Sequence, residues 1–139
     1  MITLVSTLFE AIRKHGEADY PNECCGLLIG NFDAAGGKFA DEVYPISNAR
    51  EEPAKRNRFL IAPEEMLRGE KHARARKRDV VGFYHSHPDH PAKPSQLDLD
   101  HAWPVYSYVI VSVVNGAAAE LLSWELNSDR LHFNPEEIS

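Results

Sequence analysis

The segment from Gly82 to Asp98, GFYHSHPDHPAKPSQLD, carries the side chains best suited to chemistry. In an extended chain alternate side chains share a face, so His85 and His87 point the same way and Ser86 points to the other. Pro88 disfavours the helical region for the residue before it, which holds His87 extended. Two imidazoles on one face make a pincer for a divalent cation, one protein ligand short of the three that catalytic zinc sites commonly use. Ser95-Gln-Leu-Asp98, following Pro94, has the form of a capping box and predicts a helix with Asp98 in its first turn. Asp98 is therefore a candidate third ligand. Taken singly, a His-x-His pair is more often incidental to a strand and S-x-x-D is usually only a cap. Their joint spacing is what points to a site.

His-x-His, seven residues, then Ser-x-x-Asp resembles the signature of the JAMM (MPN-plus) metallopeptidases, and the chain follows it without a departure. That family also carries a glutamate beside a strand of the type E-x-C-G-L-L-x-G, and here Glu23 precedes Cys24-Cys-Gly-Leu-Leu-Ile-Gly30. A weaker likeness runs through Tyr108 to Ser112. The resemblance implies a zinc hydrolase that cleaves an amide, often the isopeptide or C-terminal peptide bond of a ubiquitin-like protein. It implies zinc on His85, His87 and Asp98, lowering the pKa of water toward about 7. Glu23 would be the general base that passes the water's proton to the leaving amine. Ser95 would hydrogen-bond the oxyanion while also capping its helix. The short length and the Asn48…Arg58-Phe59 segment most resemble the small prokaryotic branch, whose members trim the tails of sulfur-carrier proteins. The expected substrate is then such a tail, entering past the 47–57 loop with Arg58 as a contact and lying along an exposed strand edge.

Rival readings use the same residues. His85, His87, Asp89 and His90 also fit H-x-H-x-D-H, the metal motif of the metallo-β-lactamases, but only His101 and His132 remain downstream to complete it, and Pro91 follows His90 directly. A catalytically silent MPN scaffold would lack the ligands, which are all present. The zinc deaminase pattern has no P-C-x-x-C to supply it. Cys24 and Cys25 read as small buried hydrophobes rather than nucleophiles. The basic cluster Arg68, Lys71, His72, Arg74, Arg76, Lys77 and Arg78 reads as a solvated face tuned to a helix dipole, a docking surface for an acidic partner being the alternative.

The elements that must position these groups follow from pattern. Leu4, Leu8 and Ile12 stand at helical spacing over residues 3–18, with Gly16 and Pro21 as the stop. Cys24 to Ile29 is a short apolar run that suits a buried strand, and a second strand is expected over about Phe39 to Ile46. Residues 47–57 are polar and aperiodic, the longest candidate loop or flap. A short strand at Arg58–Ile61 precedes a helix from Pro63 to Arg78, with Glu64 and Glu65 at its positive end. Val80–His87 is the metal strand, and a short helix covers 95–103. Strands follow from Tyr106, with Asn115-Gly116 as a hairpin turn and Leu131–Phe133 as an edge. The order α, β, β, β, α, β, α, β, β, β predicts an α/β (α+β) fold with a central mixed, largely antiparallel sheet flanked by helices. The family resemblance adds a cytidine-deaminase-like core.

Composition bounds the rest. At 139 residues, one domain over 1–139 is expected. A formal net charge of −6 argues against a dedicated nucleic-acid binder. No apolar run approaches the roughly 20 residues needed to span a bilayer, so no membrane contact is expected. Glu10 and Arg13 interrupt any signal-peptide core. The two cysteines are adjacent and form no C-x-x-C, and a reducing cytoplasm is the expected compartment.

Overall fold

The computed structural model describes residues 1–139. Its elements are β1 (Ile2–Leu4), α1 (Ser6–Asp19), β2 (Cys25–Phe32), β3 (Lys38–Ile46), α2 (Pro63–Ala75), β4 (Asp79–Pro88), α3 (Gln96–Asp100), β5 (Ser107–Val114), β6 (Ala117–Leu126) and β7 (Phe133–Glu136), with a single 3-10 turn at Glu52–Ala54. One seven-stranded sheet runs in the order β1-β3-β2-β4-β5-β6-β7. The β1–β3 and β4–β5 pairs are parallel and the other four are antiparallel, so the sheet is mixed and largely antiparallel as expected. It curls until its ends meet: the Ile2 N–H donates to Glu137 O at 3.0 Å and the Ser139 N–H to Ile2 O at 2.9 Å. Over those residues the β1 edge is closed to an added strand.

The centre of the sheet is apolar on both sides. Cys25 to Gly30 are all buried, as a run without polar alternation requires. One face packs Leu8 and Ile12 of α1 against Leu28, Tyr84, Val109, Val111 and Val113. The other packs Ala73 of α2 with Leu27, Ile29 and Val80, flanked by Tyr44, Phe59, Met66 and Phe83. A bulge in the β2–β4 ladder, where the register passes from Leu28/Gly82 to Ile29/Val80, sets which face the end of β4 presents.

Several local expectations are corrected. The helix does not begin at residue 3, because Ile2–Leu4 pairs with Lys38–Ala40, and three residues are too few to show a strand period. Nor does Gly16 stop it. The helix continues to Asp19, and Gly16 marks a close approach to β5, where an added Cβ would stand 3.0 Å from Val113 Cγ2. Residues 58–61 form no strand. They are held by Asn48, whose Oδ1 accepts the Leu60 N–H at 3.1 Å. The last strand lies at Phe133–Glu136 rather than 131–133, and α3 ends at Asp100. The Asn115-Gly116 turn stands, with φ of 51° and 85°, the paired positive values of a type I′ hairpin. No helix is long and apolar enough to cross a membrane.

Candidate metal centre

His85 and His87 lie near the end of β4, between β2 and β5, and the strand pleat turns both rings to the α2 side. Ser86 points the other way, where its Oγ accepts the Cys24 N–H at 2.8 Å. Both histidines are buried. Phe59 stacks on His85 with centroids 4.6 Å apart. His87 Nδ1 lies 2.9 Å from the Pro91 carbonyl, which only accepts, so Nδ1 carries a proton and Nε2 is the nitrogen that the neutral ring would offer to a metal. The loop bearing Pro91 is pinned on both sides: Trp124 Nε1 donates to Ala92 O at 2.9 Å and Ser112 Oγ to His90 O at 2.6 Å.

Asp98 arrives from α3. The capping box forms, with the Asp98 N–H donating to Ser95 Oγ at 3.1 Å and the Ser95 N–H to Asp98 Oδ2 at 2.8 Å. Ser95 Oγ accepts in this bond, which leaves its own proton free to donate outward. The same Oδ2 stands 3.3 Å from Nε2 of His85 and 3.3 Å from Nε2 of His87, and those two nitrogens are 3.1 Å apart. A tetrahedral ion with bonds of about 2.05 Å sets its ligands about 3.3 Å from one another. The triangle of two imidazole nitrogens and one carboxylate oxygen therefore fits three corners of a zinc site.

Glu23 is buried beside them, and one of its oxygens and the two imidazole nitrogens lie within 4.8 Å of one another. That grouping and the tighter triangle share the histidines and differ in the carboxylate. Asp98 sits at ligand spacing, and Glu23 is the looser neighbour. Burial pushes the Glu23 carboxyl up to about 8, with His87 lowering it and Asp98 raising it further. Burial lowers His85 below its ordinary value. Burial alone would raise Asp98, but the two imidazoles and the Ser95 N–H outweigh it and hold this carboxyl far below the ordinary range.

A cleft of about 300 Å³ opens onto His85 and Asp98, with Phe59, Leu60, Phe83 and Trp103 in its apolar wall and Arg50 and Arg58 beside them. Other candidates lie elsewhere. The Asp89 carboxylate accepts from Tyr20 OH at 2.6 Å and from the Asn115 N–H at 2.8 Å, and His90 is exposed, so the H-x-H-x-D-H alternative does not assemble. Cys24 and Cys25 are buried free thiols pushed up to about 12 by burial, which removes them as nucleophiles. In the basic cluster Arg68, His72, Arg76 and Arg78 pair with Glu65, Glu42 and Asp41. The Pro91 carbonyl serves the site without any sequence signal for it.

The fold and this cluster define a JAB/MPN-type protein with a metal-binding donor set. Residues 5–127 match the family described as prokaryotic homologs of the JAB domain, and the chain belongs to that family. It is a hydrolase of the JAMM type. It is 38% identical over 101 residues to the desampylase of Haloferax volcanii, covering 72% of this chain and 69% of that one. It is 28% identical over 127 residues to the CysO-cysteine peptidase of Mycobacterium tuberculosis, covering 91% and 83%. A solution structure from Desulfitobacterium hafniense superposes with a TM-score of 0.85 at 33% identity, over 100% of this chain and 92% of the other. A JAB1/MPN domain protein from Archaeoglobus fulgidus shares the fold at a TM-score of 0.60 and 19% identity, over 99% and 96%.

Proposed function

We propose that the chain is a zinc metallopeptidase, one catalytic domain over residues 1–139, that hydrolyses an amide bond at the C-terminal tail of a ubiquitin-like or sulfur-carrier protein. The observation that carries this is the triangle of His85 Nε2, His87 Nε2 and Asp98 Oδ2 with sides of 3.1, 3.3 and 3.3 Å. Two imidazoles and one carboxylate are the donor set of a catalytic zinc with an open fourth position. His85, His87 and Asp98 would hold the ion, which supplies a Lewis acid and an acidified water. Glu23 takes the proton of the attacking water and returns it to the leaving amine, a task suited to a carboxyl buried beside the two imidazoles but outside the ligand triangle. The free proton of the Ser95 hydroxyl donates to the oxyanion that forms as the carbonyl is attacked. The cleft takes the residues flanking the scissile bond, with Arg58 at its wall. Desampylase and CysO-cysteine peptidase are the names of relatives, and they support a carrier-type substrate. Two buried free thiols accord with a reducing cytoplasm.

The test combines metal and product analysis. Protein purified without added zinc should hold one equivalent, and carrier proteins with short C-terminal extensions should lose them, as read by mass spectrometry. Glu23→Gln should keep the metal and lose the activity. Turnover undiminished in Glu23→Gln, or no metal in the wild type, would remove the reading.

A further inference from the structure

We infer that Asn48 is the positioning residue of Glu23, hanging it from the same strap of chain that walls the cleft. This rests on the proposed role of Glu23 as the proton carrier. Glu23 precedes β2, and both of its backbone groups bond to the strap. Its N–H donates to Lys55 O at 2.6 Å, and its carbonyl accepts from Asn48 Nδ2 at 3.1 Å. The same Nδ2 donates to Arg58 O at 2.9 Å. Asn48 Oδ1 accepts the Arg50 N–H at 3.0 Å and the Leu60 N–H at 3.1 Å. The four bonds use both donors and both lone pairs of the carboxamide. Aspartate of the same shape lacks the donors, and glutamine carries the same head on a stem one methylene longer.

The groups that Asn48 joins come from separate stretches of chain, so the side chain closes residues 48–60 as a buckle closes a strap. The strap reaches the site in three ways. It holds the backbone of Glu23, it stacks Phe59 on His85, and it lines the cleft with Arg50, Arg58 and Leu60. A shift of Arg58–Leu60 is passed to the Glu23 carbonyl through one side chain. A carboxyl that must meet a water within hydrogen-bond reach is sensitive to such a shift, since a 1 Å misplacement costs on the order of 10²-fold in rate.

Asn48→Asp tests this, because it keeps the acceptor for Arg50 and Leu60 and sets an oxygen against the carbonyls of Glu23 and Arg58. The assay uses the full zinc-loaded chain and a carrier protein extended by one C-terminal residue, with Glu23→Gln in parallel. The expected result is a kcat lower by about 10²-fold, with metal content unchanged and KM within about threefold. Unchanged kcat, with only a raised KM or a lowered melting temperature, would make Asn48 a loop closure and overturn the inference. Full turnover in Glu23→Gln would instead remove the proposed function, whereas an inactive Glu23→Gln beside a fully active Asn48→Asp overturns the positioning alone. A measurement on the wild type covers a variant that does not fold. The two Asn48 carboxamide protons should exchange with solvent well below the rate of a free side-chain amide, and exchange at the free rate shows the buckle is open and overturns the inference.

Discussion

Glu23→Gln in protein stripped of metal isolates the electrostatic cost of placing a carboxyl in this site. Near pH 4 the folded chain keeps Glu23 protonated and the unfolded chain largely does so, and the group contributes little difference between them. As pH rises past the ordinary value of 4.5 the unfolded chain releases the proton, while burial keeps the folded carboxyl protonated until about 8. Over that window the folded state binds more protons, so stability falls with pH by about 1.4 kcal/mol per unit. Across the roughly 3.5 units between the two values the loss reaches at most about 5 kcal/mol, and solvent relaxation brings it below that bound. Glutamine has nearly the same volume and no titration, so any packing offset it introduces is constant with pH. Urea unfolding in the presence of a chelator, at half-unit steps from pH 4 to 9, should show Glu23→Gln gaining on the wild type by several kcal/mol. Most of the gain should fall between pH 5 and 8. Parallel curves, or a wild type that gains on the variant as pH rises, would show Glu23 ionised in the fold and refute the reasoning. A cation in the triangle favours the carboxylate, so zinc should flatten the wild-type slope and bind more tightly as pH rises.

Ser86→Ala removes the buried acceptor of the Cys24 N–H and should cost about 1–3 kcal/mol in chemical denaturation while His85 and His87 still take up metal. Lys38→Met breaks a buried pair in which Lys38 Nζ lies 2.9 Å from Glu136 Oε2, and should cost about 3–5 kcal/mol. Burial alone would raise Glu136, but bonds from Ser107, Lys38 and Ser123 hold it below its ordinary value. The stability it contributes is therefore present above the ordinary carboxylate range and lost as pH falls through the folded value, a slope that Lys38→Met should weaken.

What the sequence made legible are the features set by local rules. A period of two puts His85 and His87 on one face, and a capping box within four residues puts Asp98 in the first turn of α3, both without knowledge of the fold. The β5–β6 turn was legible for the same reason, since Asn-Gly supplies both positive φ values. Tertiary choices were not. Gly16 reads as a helix stop because glycine weakens helices, yet here the missing side chain lets α1 approach Val113. Three residues of β1 carry no period and take their conformation from β3. The Arg58–Ile61 run looks like a strand from its apolar content, but the partner that satisfies Leu60 is a side chain ten or more residues away. The Pro91 carbonyl has no signature at all, because any residue would supply one.

That contrast explains how the site divides its labour. The ligand candidates sit on β4, which is bonded on both sides by β2 and β5, and on a helix start locked by its own capping box. Groups that must meet a metal at fixed spacing gain from such rigid placement, since a small error in any one distance weakens all three bonds. Glu23, the proposed proton carrier, is placed differently. It is held through Asn48 and Lys55 by a strap with only a 3-10 turn of its own. The ligand half of the site follows rules written within a dozen residues of sequence, and the half that holds Glu23 depends on contacts that only the folded loops bring together.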